Sequence, residues 1–252
     1  MSNAAALRLQ IERALENRIP SALSPRQQTA YETASCGIPE IDGLLDGGFP
    51  VGAITEITGP ESSGRTTLAL SFLARRTAEG QVCAWIDVND MFDPESAAAN
   101  GVALGRLLWV RCSNAEKAMN RKPWARLDQA LKAVDLILQA SGFAAVVLDL
   151  GSAAPEMASR IPLATWFRFR QGAQHGRSSL LVLGRMAYGQ SSAAIMVDCE
   201  QQRAEGNSTV LKNLRFAVRR ERQRFAPSLP GKRKAPASTW SAKSSWDAAR
   251  RA

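Results

Sequence analysis

One stretch constrains this chain more than any other: Gly59-Pro60-Glu61-Ser62-Ser63-Gly64-Arg65-Thr66, followed by Thr67. It fits the phosphate-cradling pattern GxxxxGK[ST] at every fixed position except one, where Arg65 stands for lysine. Upstream, residues 53–58 (AITEIT) read as a short strand of apolar and β-branched residues. Downstream, residues 66–79 carry helical spacing through Leu68, Phe72, Leu73 and Arg76. In the order strand, glycine loop, helix, the loop's backbone N–H groups and the positive end of the helix converge on one point. That makes an anion site before any side-chain charge is counted.

Around this loop the chain alternates between strand and helix patterns. Residues 82–88, 107–110, 144–149 and 179–183 are apolar runs of strand length, and residues 94–100, 123–141 and 156–174 have helical spacing. Continuous apolar strands separated by helices predict an α/β fold, a mostly parallel twisted sheet with helices on both faces. Residues 208–218 alternate loosely and predict edge strands. Residues 4–18 predict an amphipathic N-terminal helix with Leu7, Ile11 and Leu15 on one face, followed by a Pro- and Ser-containing connector. The apolar face can fold back on its own core or dock on a neighbour.

Charge is uneven. The net charge is +9, yet residues 212–252 hold 12 Lys/Arg against Glu221 and Asp247, so the basicity belongs to the C-terminal part. Beyond residue 226 the sequence is rich in Pro, Ser, Gly and Ala, with Lys232-Arg233-Lys234 inside it. This predicts a basic, disordered tail able to neutralise DNA phosphates. The expected organisation is residues 1–36 as helix and connector, 37–226 as core and 227–252 as tail. No apolar run approaches the ~18 residues of a membrane span. Arg8, Glu12 and Arg13 occupy the place of a signal peptide's apolar segment, so the expectation is a cytoplasmic protein. Four scattered cysteines and one histidine, His175, read as a loop residue, suggest neither a zinc site nor a disulfide framework. Trp85, Trp109, Trp124 and Trp166 lie in apolar patterns and are expected in the core, whereas Trp240 and Trp246 lie in the polar tail as candidate partner anchors.

Asp149 ends an apolar strand about 80 residues beyond the loop. There a P-loop NTPase keeps the aspartate of the magnesium hydration shell, with the loop hydroxyl, here Thr66, as direct ligand. A carboxylate at a strand tip also serves as a helix cap, and spacing alone leaves both roles open.

Residues 37–101, with GPESSGRTTL and the IDVNDMFDP of residues 86–94, closely resemble the core of the RecA family over about a quarter of the chain. A weaker resemblance runs from the N-terminal helix to Leu211-Lys212-Asn213. KaiC- and RadA-type proteins share Gly37-Ile38-Pro39-Glu40-Ile41-Asp42, but the GPESSG loop favours RecA. The resemblance implies a RecA-like P-loop core with ATP and Mg2+ as cofactors, the nucleotide held by Gly59 to Thr67 and Asp93, the metal by Thr66 and Asp149.

The departures from the family pattern point away from a working recombinase. Asn89 stands where the family has the glutamate that activates water, and an amide cannot accept the proton. Losing a general base costs a factor of about 10² to 10⁴ in rate. Asp90 would substitute if the loop shifted by one residue. The family's γ-phosphate-sensing glutamine falls near Arg185-Met186 and its adenine-stacking residue near Ser96. Arg65 keeps the lysine's charge in a bulkier planar group. The connections after Asp149 and after residue 183, which hold DNA in RecA, are short, and a basic tail replaces an acidic C-terminal domain. This shortened core is similar to the ImuA-type accessory proteins of bacterial mutagenic repair, which are induced by DNA damage and act with an ImuB-type partner and an error-prone polymerase.

That resemblance implies a nucleoid-associated SOS and translesion-synthesis factor, at most a weak ATPase, that engages RecA or a polymerase complex, with self-assembly left open. Leu7, Ile11, Leu15, Trp240 and Trp246 are the expected docking residues. The alternative is an active ATP-dependent recombinase or DNA-binding ATPase, opposed by Asn89 and the short loops. A KaiC-type switch would want a second, tandem core.

Overall fold

Apolar runs that are buried on both faces decide the architecture. The computed structural model describes residues 31–112, 123–206, 211–223 and 236–243. A two-stranded antiparallel ribbon of β1 (Thr33–Ala34) and β2 (Phe49–Pro50) brackets α1 (Pro39–Leu44). Then follow β3 (Ile54–Thr58), α2 (Arg65–Ala78), β4 (Val82–Asp87), α3 (Pro94–Ala99), β5 (Leu107–Arg111), α4 (Pro123–Ala140) and β6 (Phe143–Asp149). After these come α5 (Pro155–Ala158), α6 (Leu163–Gly176), β7 (Ser179–Gly184), β8 (Ile195–Gly206), β9 (Leu211–Gln223) and β10 (Ala237–Lys243).

The main sheet has eight strands in the order β10-β9-β8-β3-β7-β6-β4-β5. It is parallel from β8 to β5 and antiparallel where β9 and β10 extend it. Alternate residues serve opposite faces, because successive side chains of a strand point to opposite sides. Ile57, Trp85, Val147 and Leu181 pack with Phe49, Leu68 and Phe72 on one face. Ile54, Ile86, Val146 and Leu180 pack with Leu131, Trp166 and Phe169 on the other. With both faces covered, the central strands are uninterrupted apolar sequence. The expected α/β fold, mostly parallel with helices on both faces, is the one found.

Several local expectations are corrected. The helix expected over residues 156–174 is two helices, α5 and α6, because Pro162 lacks an N–H and sits as the N-cap of α6. His175 lies in the last turn of α6, not in a loop. Trp85 and Trp166 are fully buried, but Trp124 is exposed on α4. The strand β8 carries no apolar alternation beyond Cys199 and was not expected. The region beyond residue 226 is not all outside the fold: β10 pairs along β9, and Trp240 is buried in the core instead of standing free as a partner anchor. Its ring lies 4.8 Å from that of Phe216. Part of the C-terminal basicity is also paired within the fold, since Arg215 pairs with Glu205, Arg219 with Glu200, and Arg220 with Asp46. Leu7, Ile11, Leu15, Lys232, Arg233, Lys234 and Trp246 lie outside the described residues. Among the described residues no helix is long and apolar enough to cross a membrane. The four cysteines are free and buried, and burial pushes the Cys83 and Cys199 thiols up to about 12, as inert packing groups behave.

Candidate nucleotide site

The loop from Gly59 to Gly64 joins β3 to α2 in conformations only certain residues accept. Gly59 has φ 145°, and a Cβ there would sit 2.2 Å from the Cys199 carbonyl oxygen on β8. Gly64 has φ 90° and presses on Phe216, whose ring would lie 2.8 Å from an added Cβ. Ser62 is also left-handed, at φ 60°. The sheet thus grips the loop from behind, through β8 and β9. No side chain caps the first turn of α2, so its N–H groups face the loop's concavity.

A cavity of about 340 Å³ opens at this point. It brings together Glu61, Ser62, Arg65, Thr66, Asp93 and Asp149 from the sequence reading, along with Trp85, Phe92, Ser96, Gly151 and Ser152. A larger open depression of about 800 Å³ lies between α4 and α6, near Arg168 and His175. It contains neither the loop nor a helix N-terminus, so the smaller cavity is the candidate phosphate site.

Two charges face each other across the phosphate end. Arg65 is 9% exposed, and its Nη1 has no hydrogen-bond partner. Burial lowers its pKa, with Arg185 contributing and Asp149 opposing. Asp149 ends β6 beside Asp87 of β4, and its Oδ1 accepts the Gly151 N–H at 2.9 Å. Burial raises the Asp149 carboxyl above the usual carboxylate range, and Asp87 adds to the rise, against the Gly151 N–H and Arg65. A buried guanidinium with an open N–H, and a carboxylate short of positive charge, together suit an incoming anion accompanied by a cation.

The residues fit magnesium. Thr66 and Asp149 offer hard oxygen donors to one cavity, and Thr66 is exposed. No cluster of three or more His, Cys, Asp or Glu exists among the described residues. That sparse set is what an ion taking most of its ligands from phosphates and water requires.

The residues after β4 are arranged differently from the sequence expectation. Asp87 is buried and accepts the N–H groups of Met91 at 3.0 Å and Phe92 at 2.8 Å, which fixes the loop in one register. Asn89 is thereby directed to Ser152, donating from Nδ2 to Oγ at 2.9 Å. Asp90, at φ 62°, forms a two-pronged pair with Arg111 at 2.7 and 2.6 Å. Its carboxyl is held below the usual range by that guanidinium, which itself lies over Trp109. Asp90, the expected substitute if the loop shifted by one residue, thus faces Arg111, and its proton affinity is reduced. Asp93 lines the cavity while capping α3, accepting from the Glu95 and Ser96 N–H groups and from Ser96 Oγ at 2.5 Å.

Sequence reasoning missed the aromatic wall and one ion pair. Trp85 reads as core and is fully buried, yet it also lines the cavity, stacked 4.9 Å from Phe92, with its indole N–H unpartnered. Arg185, just past β7, pairs with Glu61 of the loop.

The RecA N-terminal domain family matches residues 3–157. Among curated proteins, Protein RecA of Synechocystis sp. is 39% identical over 131 residues, covering 51% of this chain and 36% of the relative. Protein RecA of Crocosphaera subtropica is 35% identical over 140 residues, 56% of this chain and 37% of the relative. The match thus spans about a third of the length of these relatives.

Proposed function

The chain belongs to the RecA N-terminal domain family, and on that premise we propose that it is a non-recombinogenic paralogue, of ImuA type, serving DNA-damage tolerance. It holds ATP with Mg2+ at the loop, turns it over slowly, and acts by binding RecA or a polymerase complex containing an ImuB-type protein. The observation that carries this reading is the pairing of an intact phosphate cradle with a disarmed hydrolytic position. The cradle retains its glycine conformations and an unpartnered Arg65 N–H. The position that should hold a base holds Asn89, tied to Ser152, while the neighbouring Asp90 is committed to Arg111. Bound magnesium would offset phosphate charge and polarise the terminal phosphate. Around it, Thr66 and Asp149 orient the ion, Arg65 neutralises phosphate oxygens, and the Trp85–Phe92 wall excludes water from one side.

Titration with a fluorescent ATP analogue should show saturable binding, while phosphate release, with or without single-stranded DNA, stays about 10² to 10⁴ below that of a base-equipped enzyme. Strong DNA-stimulated turnover that Asp149→Asn abolishes would instead establish the recombinase reading.

The partner proposal rests on the amphipathic pattern of Leu7, Ile11 and Leu15. A chain that docks by this helix on a RecA subunit, but adds neither DNA loops nor a base, ends a filament. Wild type should shorten RecA filaments on single-stranded DNA at substoichiometric ratios, and Leu7→Asp with Ile11→Asp should not, as followed by electron microscopy. Filaments indifferent to both proteins would remove RecA as the partner.

A further inference from the structure

Arg65 begins α2 beside Gly64 and is buried, although charged side chains are among those least often removed from solvent. Its planar head reaches from the phosphate loop to the tip of β6. A Cβ added at Gly151 would lie 3.3 Å from Arg65 Nη2, 3.6 Å from its Cζ and 3.1 Å from Asp149 Oδ1. The missing side chain at Gly151 is therefore what leaves room for the guanidinium to approach the carboxylate. Arg65 and Asp149 each act electrostatically on the other's proton affinity, while Arg65 Nη1 is left without a hydrogen-bond partner.

That placement bears on the metal. Thr66 and Asp149 are the hard oxygen donors of this cavity, so a divalent cation set between them would have the Arg65 guanidinium as a like-charged neighbour. Among the described residues no cluster of three or more His, Cys, Asp or Glu gathers to outweigh that repulsion. The guanidinium brings its own charge to the phosphates, is weakly hydrated, and presents a fork that matches their oxygens. A metal-free triphosphate also carries more negative charge than its magnesium complex, so a fixed protein cation attracts it the more strongly. The uncapped first-turn N–H groups of α2 complete the cradle without any ion.

We infer that Arg65 takes over the charge-neutralising part of the magnesium ion in binding, so that this site holds metal-free nucleotide as tightly as the magnesium complex. The ion joins at Thr66 and Asp149 without setting the affinity. This rests on the nucleotide-binding reading above and adds to it the chemical form of the ligand. Occupancy is thereby separated from the metal that hydrolysis needs, which suits a site with Asn89 in the base position.

The test is equilibrium titration with a fluorescent ATP analogue in excess EDTA and in excess Mg2+, at matched ionic strength because salt screens these attractions. Wild type, Arg65→Lys and Arg65→Ala are compared, each checked for folding by circular dichroism, and affinity is read instead of turnover. Wild type should bind within about threefold in the two solutions. Arg65→Ala should lose about tenfold or more in EDTA, the worth of a charged hydrogen bond, and recover part of that loss in Mg2+. Arg65→Lys, whose compact ammonium lacks the fork, should bind about tenfold or more tighter in Mg2+ than in EDTA. Wild-type binding that is about tenfold or more weaker in EDTA than in Mg2+, or an Arg65→Ala protein that keeps wild-type affinity in EDTA, overturns the inference and leaves nucleotide binding intact. If folded wild type binds in neither solution, the nucleotide-binding reading fails and this inference with it.

Discussion

Trp240→Ala is expected to cost the folded chain about 3 to 5 kcal/mol, as large aromatic truncations in a packed core do. The residue is 7% exposed, stands opposite Phe216 in the β9–β10 register, and stacks on it at 4.8 Å. It is the only large apolar side chain of β10, so it carries most of the strand's side-chain burial, beside the backbone pairing with β9. Phe216 in turn presses on Gly64, so loosening it removes the wall behind the phosphate loop and should weaken nucleotide binding as well. Trp240→Phe should be far milder: it keeps a ring in place and deletes an indole N–H that has no partner. Urea unfolding of the three proteins, with nucleotide titration on each, makes the check. A change below about 0.5 kcal/mol for Trp240→Ala, the range of ordinary surface substitutions, would show that β10 is not part of the folded unit. The same reasoning alters any test of the basic tail: removal of residues 227–252 removes β10, so a change in DNA binding after that truncation would report unfolding as well as lost charge. Removing residues 244–252 alone leaves the strand in place.

What the sequence made legible, and what it hid, divides by the kind of information each element needs. The phosphate loop, α2 and the strands β3, β4, β6 and β7 are encoded locally, in a motif and in apolar runs whose two faces are both buried. The strand β8 is not. Residues Glu200, Gln201, Gln202 and Arg203 are exposed, and this half of the strand has no apolar stripe to announce it. Its partnership with β9 is accompanied by cross-strand charge, Arg219 with Glu200 and Arg215 with Glu205, which only the register reveals. For the same reason Trp240 reads as a free aromatic until Phe216 is seen opposite it. That Thr66 and Asp149 line one cavity follows from their spacing, because the parallel sheet places strand ends beside the loop. The diversion of Asp90 to Arg111 and the pairing of Glu61 with Arg185 follow from strand order, β5 beside β4 and β7 beside β3, and no local pattern carries that order.

Restoring hydrolysis is the sharpest trial of the disarmed-site reading. Asn89→Glu places a carboxylate where the family resemblance puts the water-activating base, at a position already directed to Ser152 on the cavity wall. A base in reach of the attacking water contributes about 10² to 10⁴ in rate. The full gain is not expected from that change alone, because Arg65 lines the phosphate end with a planar group bulkier than a compact ammonium. Arg65→Lys alone supplies the compact cation without the base and should change phosphate release little. The double variant should exceed the product of the two singles, since groups that act as a unit are strongly non-additive. Phosphate release at saturating nucleotide, with binding measured separately on each variant, separates chemistry from affinity. The gained activity should also fall as the new carboxylate is protonated toward acid pH, a dependence that mere tightening of the loop would not produce. Nucleotide-saturated double variant with no more turnover than wild type would mean that the barrier lies elsewhere than in the base and the phosphate-loop cation, and the site would then have to be regarded as built for occupancy alone.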